Sequence, residues 1–204
     1  ALPISEKSKS EGFRVLPRGS TFALNAAKPV VRFFIYWHQN GERTDYDLSM
    51  VSYDKDFNAA GQVSYTNLRY GGDANCPAVH SGDITSAPNG ASEFIDVELA
   101  KLPKEVRFLV PTVNLFAGNL YKDCKECFFG FMSRDLKEKG KPFEPRTVET
   151  KFDLRGDKKV ACPLVFVRAD DDTWSVKWLD LYVNGVPYGN RVELNKFSTQ
   201  LLAK

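Results

Sequence analysis

The sequence has no apolar run long enough to cross a bilayer, because its densest stretch, Val30 to Trp37, is interrupted by Arg32. It has little net charge: 28 Lys and Arg against 26 Asp and Glu leave +2, and the basic residues are scattered. That balance gives no reason to expect a nucleic-acid partner. Only two histidines occur, and Gly-x-Ser-x-Gly, phosphate-loop and dinucleotide motifs are missing. These absences argue against a membrane-spanning protein and against the common enzyme classes.

The chain also starts without an initiator methionine and without an apolar signal sequence, so we expect an excised domain of a larger chain or a processed product. Composition divides it into a linker or tail, one domain and a C-terminal extension, at residues 1–14, 15–184 and 185–204. Leu194, Phe197 and Leu201 would share one face of a helix, which predicts a short C-terminal helix packed on the domain.

Four cysteines are present, and two of them, Cys124 and Cys127, have the CxxC spacing. A structural zinc site needs a second pair, whereas Cys76 and Cys162 are isolated and far apart in sequence. The apolar residues that follow Cys127 are typical of a small buried residue in a strand. We therefore expect reduced, packed cysteines, with zinc or redox chemistry as the less favoured alternative.

Strand-like runs dominate the chain, at residues 31–37, 48–53, 94–99, 106–113, 160–168 and 174–183. The run at 31–37 is apolar on both faces, which predicts a central strand. The run at 94–99 alternates Asp96 and Glu98 with apolar residues, which predicts one wet face. Pro111 predicts an edge strand or a bulge. The polar residues 169–173 predict a hairpin between the last two runs.

Turn signals such as Ala60-Gly61, Gly71-Gly72 and Asn89-Gly90 separate these runs. Many short strands with such punctuation predict an all-β, mainly antiparallel fold, a two-sheet β-sandwich with the short C-terminal helix added. Trp37, Phe128, Phe129 and Trp178 are expected in the core.

Oxygen-bearing side chains cluster at the ends of the predicted strands. Asp45 and Asp47 stand at i and i+2, so in a strand they share one face and repel each other unless a cation or protons intervene. The candidate ligands are Asp45, Asp47, Asn67, Asp83, Asn89 and Glu93. Carboxylate, amide and carbonyl oxygens together favour a hard cation such as Ca²⁺. Each signal is weak alone, because Asp-x-Asp is common on solvated strands and Asp83 could form an Asx-turn.

The order of four motifs resembles the TerD family of tellurite-resistance and stress-response domains: Tyr46-Asp47-Leu48-Ser49, Ser64-Tyr65-Thr66-Asn67-Leu68, His80-Ser81-Gly82-Asp83-Ile84-Thr85 and Glu93-Phe94-Ile95-Asp96-Val97. The resemblance covers about residues 15 to 183. It implies a β-sandwich, calcium held by Asp45, Asp47, Asn67, Asp83 and Glu93 with Asn89 as a sixth ligand, and a non-enzymatic protein of the bacterial cytoplasm. We expect the domain to act through a protein partner, which the sequence does not identify.

One segment departs from the family pattern. Residues 86–92 contain no carboxylate before Glu93, whereas this loop is dense in Asp and Glu in typical members. Because calcium affinity follows ligand charge, we expect one site with a dissociation constant of about 10⁻⁵ to 10⁻³ M. A degenerate, metal-free site in an interaction scaffold is the alternative.

An enzyme is a further alternative. His80, Ser81 and Asp83 carry the residue types of a catalytic triad, but neighbours on an extended chain point apart. We expect His80 to brace the metal loop and His38 to be a partly buried strand-end residue. A metal-dependent phosphotransfer site would need a nearby cation, for which Arg43 and Arg69 are the candidates in sequence.

Overall fold

The computed structural model describes residues 17–24, 28–148 and 150–185. Its strands are β1 (Thr21–Ala23), β2 (Val30–His38), β3 (Asp45–Tyr53), β4 (Ala59–Val63), β5 (Ala78–His80), β6 (Ala91–Glu98), β7 (Phe108–Ala117), β8 (Glu126–Arg134), β9 (Lys151–Asp153), β10 (Val160–Arg168) and β11 (Trp174–Val183). Single 3₁₀ turns lie at Tyr70–Gly72, Leu99–Lys101, Tyr121–Asp123, Leu136–Glu138 and Pro145–Thr147. The predicted all-β fold is confirmed. The tail at 1–14 and the C-terminal helix at 191–203 lie outside the described residues.

The strands form two sheets. The first sheet has six strands in the order β1-β11-β10-β7-β3-β4, and the second has five in the order β5-β6-β2-β8-β9. The pairings between neighbouring strands are antiparallel. The two-sheet β-sandwich predicted from the sequence is therefore confirmed, and β2 is a central strand as expected, flanked by β6 and β8.

The period of two decides which side chains enter the core between the sheets. On β2, Phe33, Ile35 and Trp37 join the main core cluster, and on β3 Tyr46 and Leu48 do so. The alternate residues of β3 therefore face away from the second sheet, and Asp45 and Asp47 are among them. The four aromatic residues expected in the core, Trp37, Phe128, Phe129 and Trp178, are all buried.

The predicted hairpin is present, whereas the prediction for Pro111 is half right. β10 pairs with β11 from Val160 opposite Val183 to Arg168 opposite Trp174. Pro111 does not lie on an edge strand, because β7 sits between β3 and β10. A register shift of β10 against β7 does occur opposite Pro111, between Ala161 and Phe166, and its extra residue lies on β10.

The predicted wet face of β6 is wrong. Asp96 is fully buried and Glu98 nearly so. Residues 135–148 cover this face: the backbone N–H of Gly140 donates to Asp96, and Lys139 pairs with Glu98. A local alternation reports which residues share a face, but a distant segment decides whether that face meets water.

Two smaller expectations also fail. Ala60-Gly61 is not a turn but part of β4, and a Cβ at Gly61 would come within 2.4 Å of the Tyr70 ring. Glycine is needed there for close packing rather than for a turn. Asn67 does not end a strand, since it lies in the tight turn after β4 and bridges to Ser64. Within the described ranges, no helix is long and apolar enough to span a membrane.

Candidate metal centre

Two segments of the chain bring three aspartates together. Asp45 and Asp47 are at the start of β3 and face away from the core, and Asp83 is on the loop between β5 and β6. Ligand oxygens of the three lie within 4.8 Å of one another. Asp45 and Asp47 are buried and Asp83 is exposed, so the cluster is open to solvent on the side of Asp83.

The burial of two like charges carries an electrostatic cost. Desolvation raises the pKa of Asp47 to about 7, and repulsion from Asp45 and Asp83 adds to that rise. Burial likewise raises the pKa of Asp45, with further repulsion from Asp83. Oδ1 of Asp45 is buried and, among the described residues, has no hydrogen-bond partner. Buried anions without partners are destabilising, and a cation or protons would remove that cost.

Few neighbours compensate these charges. Arg43 lies 3.8 Å from Asp45, but its side chain is 66% exposed, so water screens the pair. Asn114 of β7 stands opposite Asp47 and approaches it at 3.5 Å from its amide nitrogen. Asn114 was not predicted, because only the β3–β7 register places it there and sequence does not reveal register.

Glu93 is close to the aspartates, but its carboxylate is hydrogen-bonded to backbone N–H groups. One of its carboxylate oxygens accepts from the backbone N–H of Leu48 at 2.9 Å and the other from that of Ile84 at 2.8 Å. It is fully buried, and burial raises its pKa well above the usual range, with Asp47 and Asp83 contributing. Glu93 therefore fastens the Asp83 loop to β3, and its place as a direct ligand stays a prediction.

His80 braces the same loop. Its Nε2 lies 3.0 Å from the Leu48 carbonyl, and its Nδ1 accepts from the backbone N–H of Gly82 at 3.0 Å. That pair of contacts requires the neutral ring with the proton on Nε2. Burial lowers the pKa of His80 to about 4, which keeps the ring neutral at pH 7. The bracing role expected from the sequence is confirmed, and both ring nitrogens are engaged.

The two asparagines stay predictions as ligands. The side-chain nitrogen of Asn67 donates to the carbonyl of Gln62 at 2.9 Å. Asn89 is exposed in the turn before Gly90, whose positive φ of 87° suits glycine. The loop itself is held by Gln39, whose Oε1 accepts from the Ala87 N–H at 2.7 Å. Gln39 was not predicted, because nothing in the local sequence distinguishes it.

The catalytic triad is not assembled. The hydroxyl of Ser81 accepts from the backbone N–H of Phe94 at 2.9 Å, and His80 is directed at Leu48 instead. Arg69 contacts the carbonyl of Ala74 at 3.4 Å. Arg43 is thus the cation found beside the aspartates. His38, at the end of β2, is partly buried as expected.

The donor set fits a hard divalent cation. Three carboxylates from two segments, with their oxygens within 4.8 Å, are the kind of ligands that Ca²⁺ prefers. Six to eight oxygens complete a calcium shell, so carbonyl groups or water would add to these three. No other group of three or more His, Cys, Asp or Glu side chains with such spacing occurs in the described part of the chain, and Cys124 and Cys127 belong to none.

The strand order and the site define a two-sheet β-sandwich with an acidic cluster at the end of one sheet. Comparison with known proteins shows which proteins the chain is similar to. The chain is similar to the tellurium resistance protein TerZ of Serratia marcescens, to which it is 38% identical over 68 residues. That match covers 32% of this chain and 35% of TerZ, so it spans about a third of the relative's length. No protein-family model matches the chain.

Two solved structures share the fold. A homologue of the telluride resistance protein TerD, SCO6318 from Streptomyces coelicolor A3(2), has a TM-score of 0.61 at 13% identity, covering 79% of this chain and 94% of that one. The unknown function protein SAV2460 has a TM-score of 0.59 at 17% identity, covering 78% and 92%. The family resemblance read from the sequence is confirmed by TerZ, and the two structures support the fold.

Proposed function

We propose that this chain is a calcium-binding, non-enzymatic module of the TerD type that acts in a stress response, such as resistance to tellurium compounds, in the cytoplasm. The observation that carries the proposal is the cluster of Asp45, Asp47 and Asp83, of which two are buried and none is paired with a buried cation among residues 17–24, 28–148 and 150–185. The names of TerZ and of the TerD homologue supply the stress-response part.

The ion would act by joining two elements. Asp45 and Asp47 are fixed on β3, whereas Asp83 belongs to a loop that is otherwise held through Glu93, His80 and backbone contacts. A calcium ion bound by all three would order this loop and cancel the repulsion on the strand. The ordered loop would then present a fixed surface to a protein partner.

Thermal unfolding tests the proposal. The chain is stripped with a chelator and then titrated with calcium or magnesium over the millimolar range. A ligand present at 100 times its dissociation constant stabilises the native state by about 2.7 kcal/mol. For a domain of this size that corresponds to a rise in Tm of about 5–10 °C. We expect this rise with calcium and little with magnesium, which prefers a smaller octahedral site.

Matched variants assign the ligands. Asp47→Asn and Asp83→Asn should abolish the calcium response while the fold persists. Asp157→Asn is the control, because its side chain is 64% exposed and its ion-pair contact is Lys158 at 3.9 Å. A full calcium response in either site variant would show that the ligand assignment is wrong. No response in the unmodified chain would favour the alternative, an interaction scaffold with a degenerate site.

A further inference from the structure

The CxxC pair lies beside the acidic strand. Cys124 follows the 3₁₀ turn at Tyr121–Asp123, and Cys127 is the second residue of β8, opposite Trp37. Cys127 is buried and Cys124 is partly exposed, packed against the main core. The other two cysteines are buried elsewhere.

The two thiols are in direct contact. Cys124 and Cys127 hydrogen-bond each other, and the hydroxyl of Tyr46 contacts both sulfurs, at 3.4 Å from Cys124 Sγ. The same hydroxyl donates to the carbonyl of Asn119 at 2.7 Å, which fixes it in place. Two sulfurs within hydrogen-bonding distance on a CxxC segment can be joined by a disulfide once the local chain brings them to the S–S distance of about 2.05 Å.

The two thiols differ in exposure and in pKa, and thiol exchange depends on both. The hydrogen bond from Cys127 lowers the pKa of the Cys124 thiol, while burial raises the pKa of Cys127. The thiolate is the nucleophile, so the partly exposed Cys124 is the residue that reacts first. The buried Cys127 is then positioned to attack the sulfur of Cys124.

We propose that Cys124 and Cys127 form a modification site, a dithiol that a small-molecule disulfide of the glutathione type oxidises reversibly to an intramolecular disulfide. In the first step the Cys124 thiolate attacks the oxidant, forming a mixed disulfide and releasing one small thiolate. In the second step Cys127 loses its proton to solvent and attacks Cys124 Sγ, releasing the second small thiolate. The protein loses two electrons and two protons, and the oxidant becomes two thiols.

A metal–thiolate site does not explain the pair. Structural zinc takes four nitrogen or sulfur ligands. These two cysteines belong to no group of three or more ligating side chains among the residues that the structure describes. Two thiols with one partly exposed member and one buried partner fit disulfide exchange better. The proposal is independent of calcium binding by the aspartates.

The test is equilibration of the full chain with mixtures of glutathione and glutathione disulfide, followed by an acid quench, thiol counting after unfolding, and mass analysis. The chain has four thiols. We expect two to be lost together, with a mass lower by two hydrogens and no retained glutathione. Reduction with excess glutathione should restore all four.

Single variants separate the roles. Cys127→Ser should retain one glutathionyl group on Cys124, because the resolving thiol is gone, and Cys127→Ala repeats this test if a buried hydroxyl unfolds the chain. Cys124→Ser should remain unmodified, because Cys127 is buried. The control, Cys76→Ser, should behave like the unmodified chain. Four intact thiols at every ratio, or a stable adduct on Cys124 while Cys127 is present, would overturn the proposal.

Discussion

Both sheets bury carboxylates on their outer faces, but the two groups of carboxylates differ in how their charge is compensated. On the second sheet, Asp96 is held by the guanidinium of Arg32 through two hydrogen bonds of 2.6 Å, and both side chains are fully buried. The Arg32 guanidinium lies 3.5 Å from the centre of the Phe94 ring and donates to the Lys141 carbonyl at 2.7 Å. Asp96 and Arg32 thus compensate each other's charge within the chain.

In the described part of the chain, the acidic cluster on the first sheet has no comparable counter-ion. Asp45 and Asp47 are nearly as buried as Asp96, yet the cation near them, Arg43, is mostly in water. The fold buries the guanidinium of Arg32 beside Asp96, whereas the guanidinium of Arg43 beside the acidic cluster is mostly exposed. The proposed cation would explain this contrast, and a set of substitutions tests it.

The largest effect is expected for Asp96→Asn, which leaves the Arg32 charge buried without its counter-ion. Breaking a buried pair from one side costs about 3–5 kcal/mol. Chemical denaturation should show that loss in the free energy of unfolding, with the calcium response unchanged. Asp153→Asn is the control, because its partner Arg155 is 79% exposed and the expected loss is about 0–1 kcal/mol. Equal losses in the two variants would show that the buried Arg32–Asp96 pair stabilises the chain no more than the exposed Arg155–Asp153 pair does.

Asp47→Asn should instead raise the free energy of unfolding, when calcium is removed with a chelator at pH 8. The amide carries no charge, so the desolvation and repulsion that raise the Asp47 pKa to about 7 disappear. We expect the calcium-free chain to gain stability, on the order of 4 kcal/mol for a rise of about three pKa units at about 1.4 kcal/mol per unit. A destabilised variant would show that the charge of Asp47 is compensated internally, as that of Asp96 is.

The same substitution has a pH signature. Asp47 has a folded-state pKa of about 7 against 3.8 for an unperturbed aspartate, so between these pH values the folded chain binds the extra proton. Its contribution to stability therefore falls as pH rises from about 4 to 7. His80, whose pKa is lowered to about 4, contributes the opposite slope in the range up to 6.5. The difference between Asp47→Asn and the unmodified chain isolates the aspartate and should grow with pH.

The smallest effect is expected for Arg43→Ala. Its ion pair with Asp45 spans 3.8 Å with a mostly exposed guanidinium, and such pairs contribute about 0–1 kcal/mol. Urea denaturation of the chelated chain should show a loss within that range. A loss as large as that of Asp96→Asn would identify Arg43 as the internal counter-ion and remove the reason to expect a cation.

Local patterns in the sequence accounted for most of the fold. The alternation around Leu48 fixes which side chains of β3 enter the core, so Asp45 and Asp47 had to share the opposite face. The dense run of β2 required a central position, and the turn at 169–173 required a hairpin. These properties depend on neighbours within a few residues, which the sequence displays directly.

Other features depended on contacts between distant segments. The tertiary structure brought Asp83 to the two strand aspartates, assigned Glu93 to backbone N–H groups, and buried Asp96 against Arg32. It also placed the CxxC thiols against Tyr46. The sequence by itself indicated the long strands β2, β3, β6, β7, β10 and β11, which of their residues share a face, and the acidic residues near their ends, whereas β4 was expected to be a turn. Only the tertiary structure decided which charges meet a partner, because register and loop docking set the distances that govern electrostatic energy.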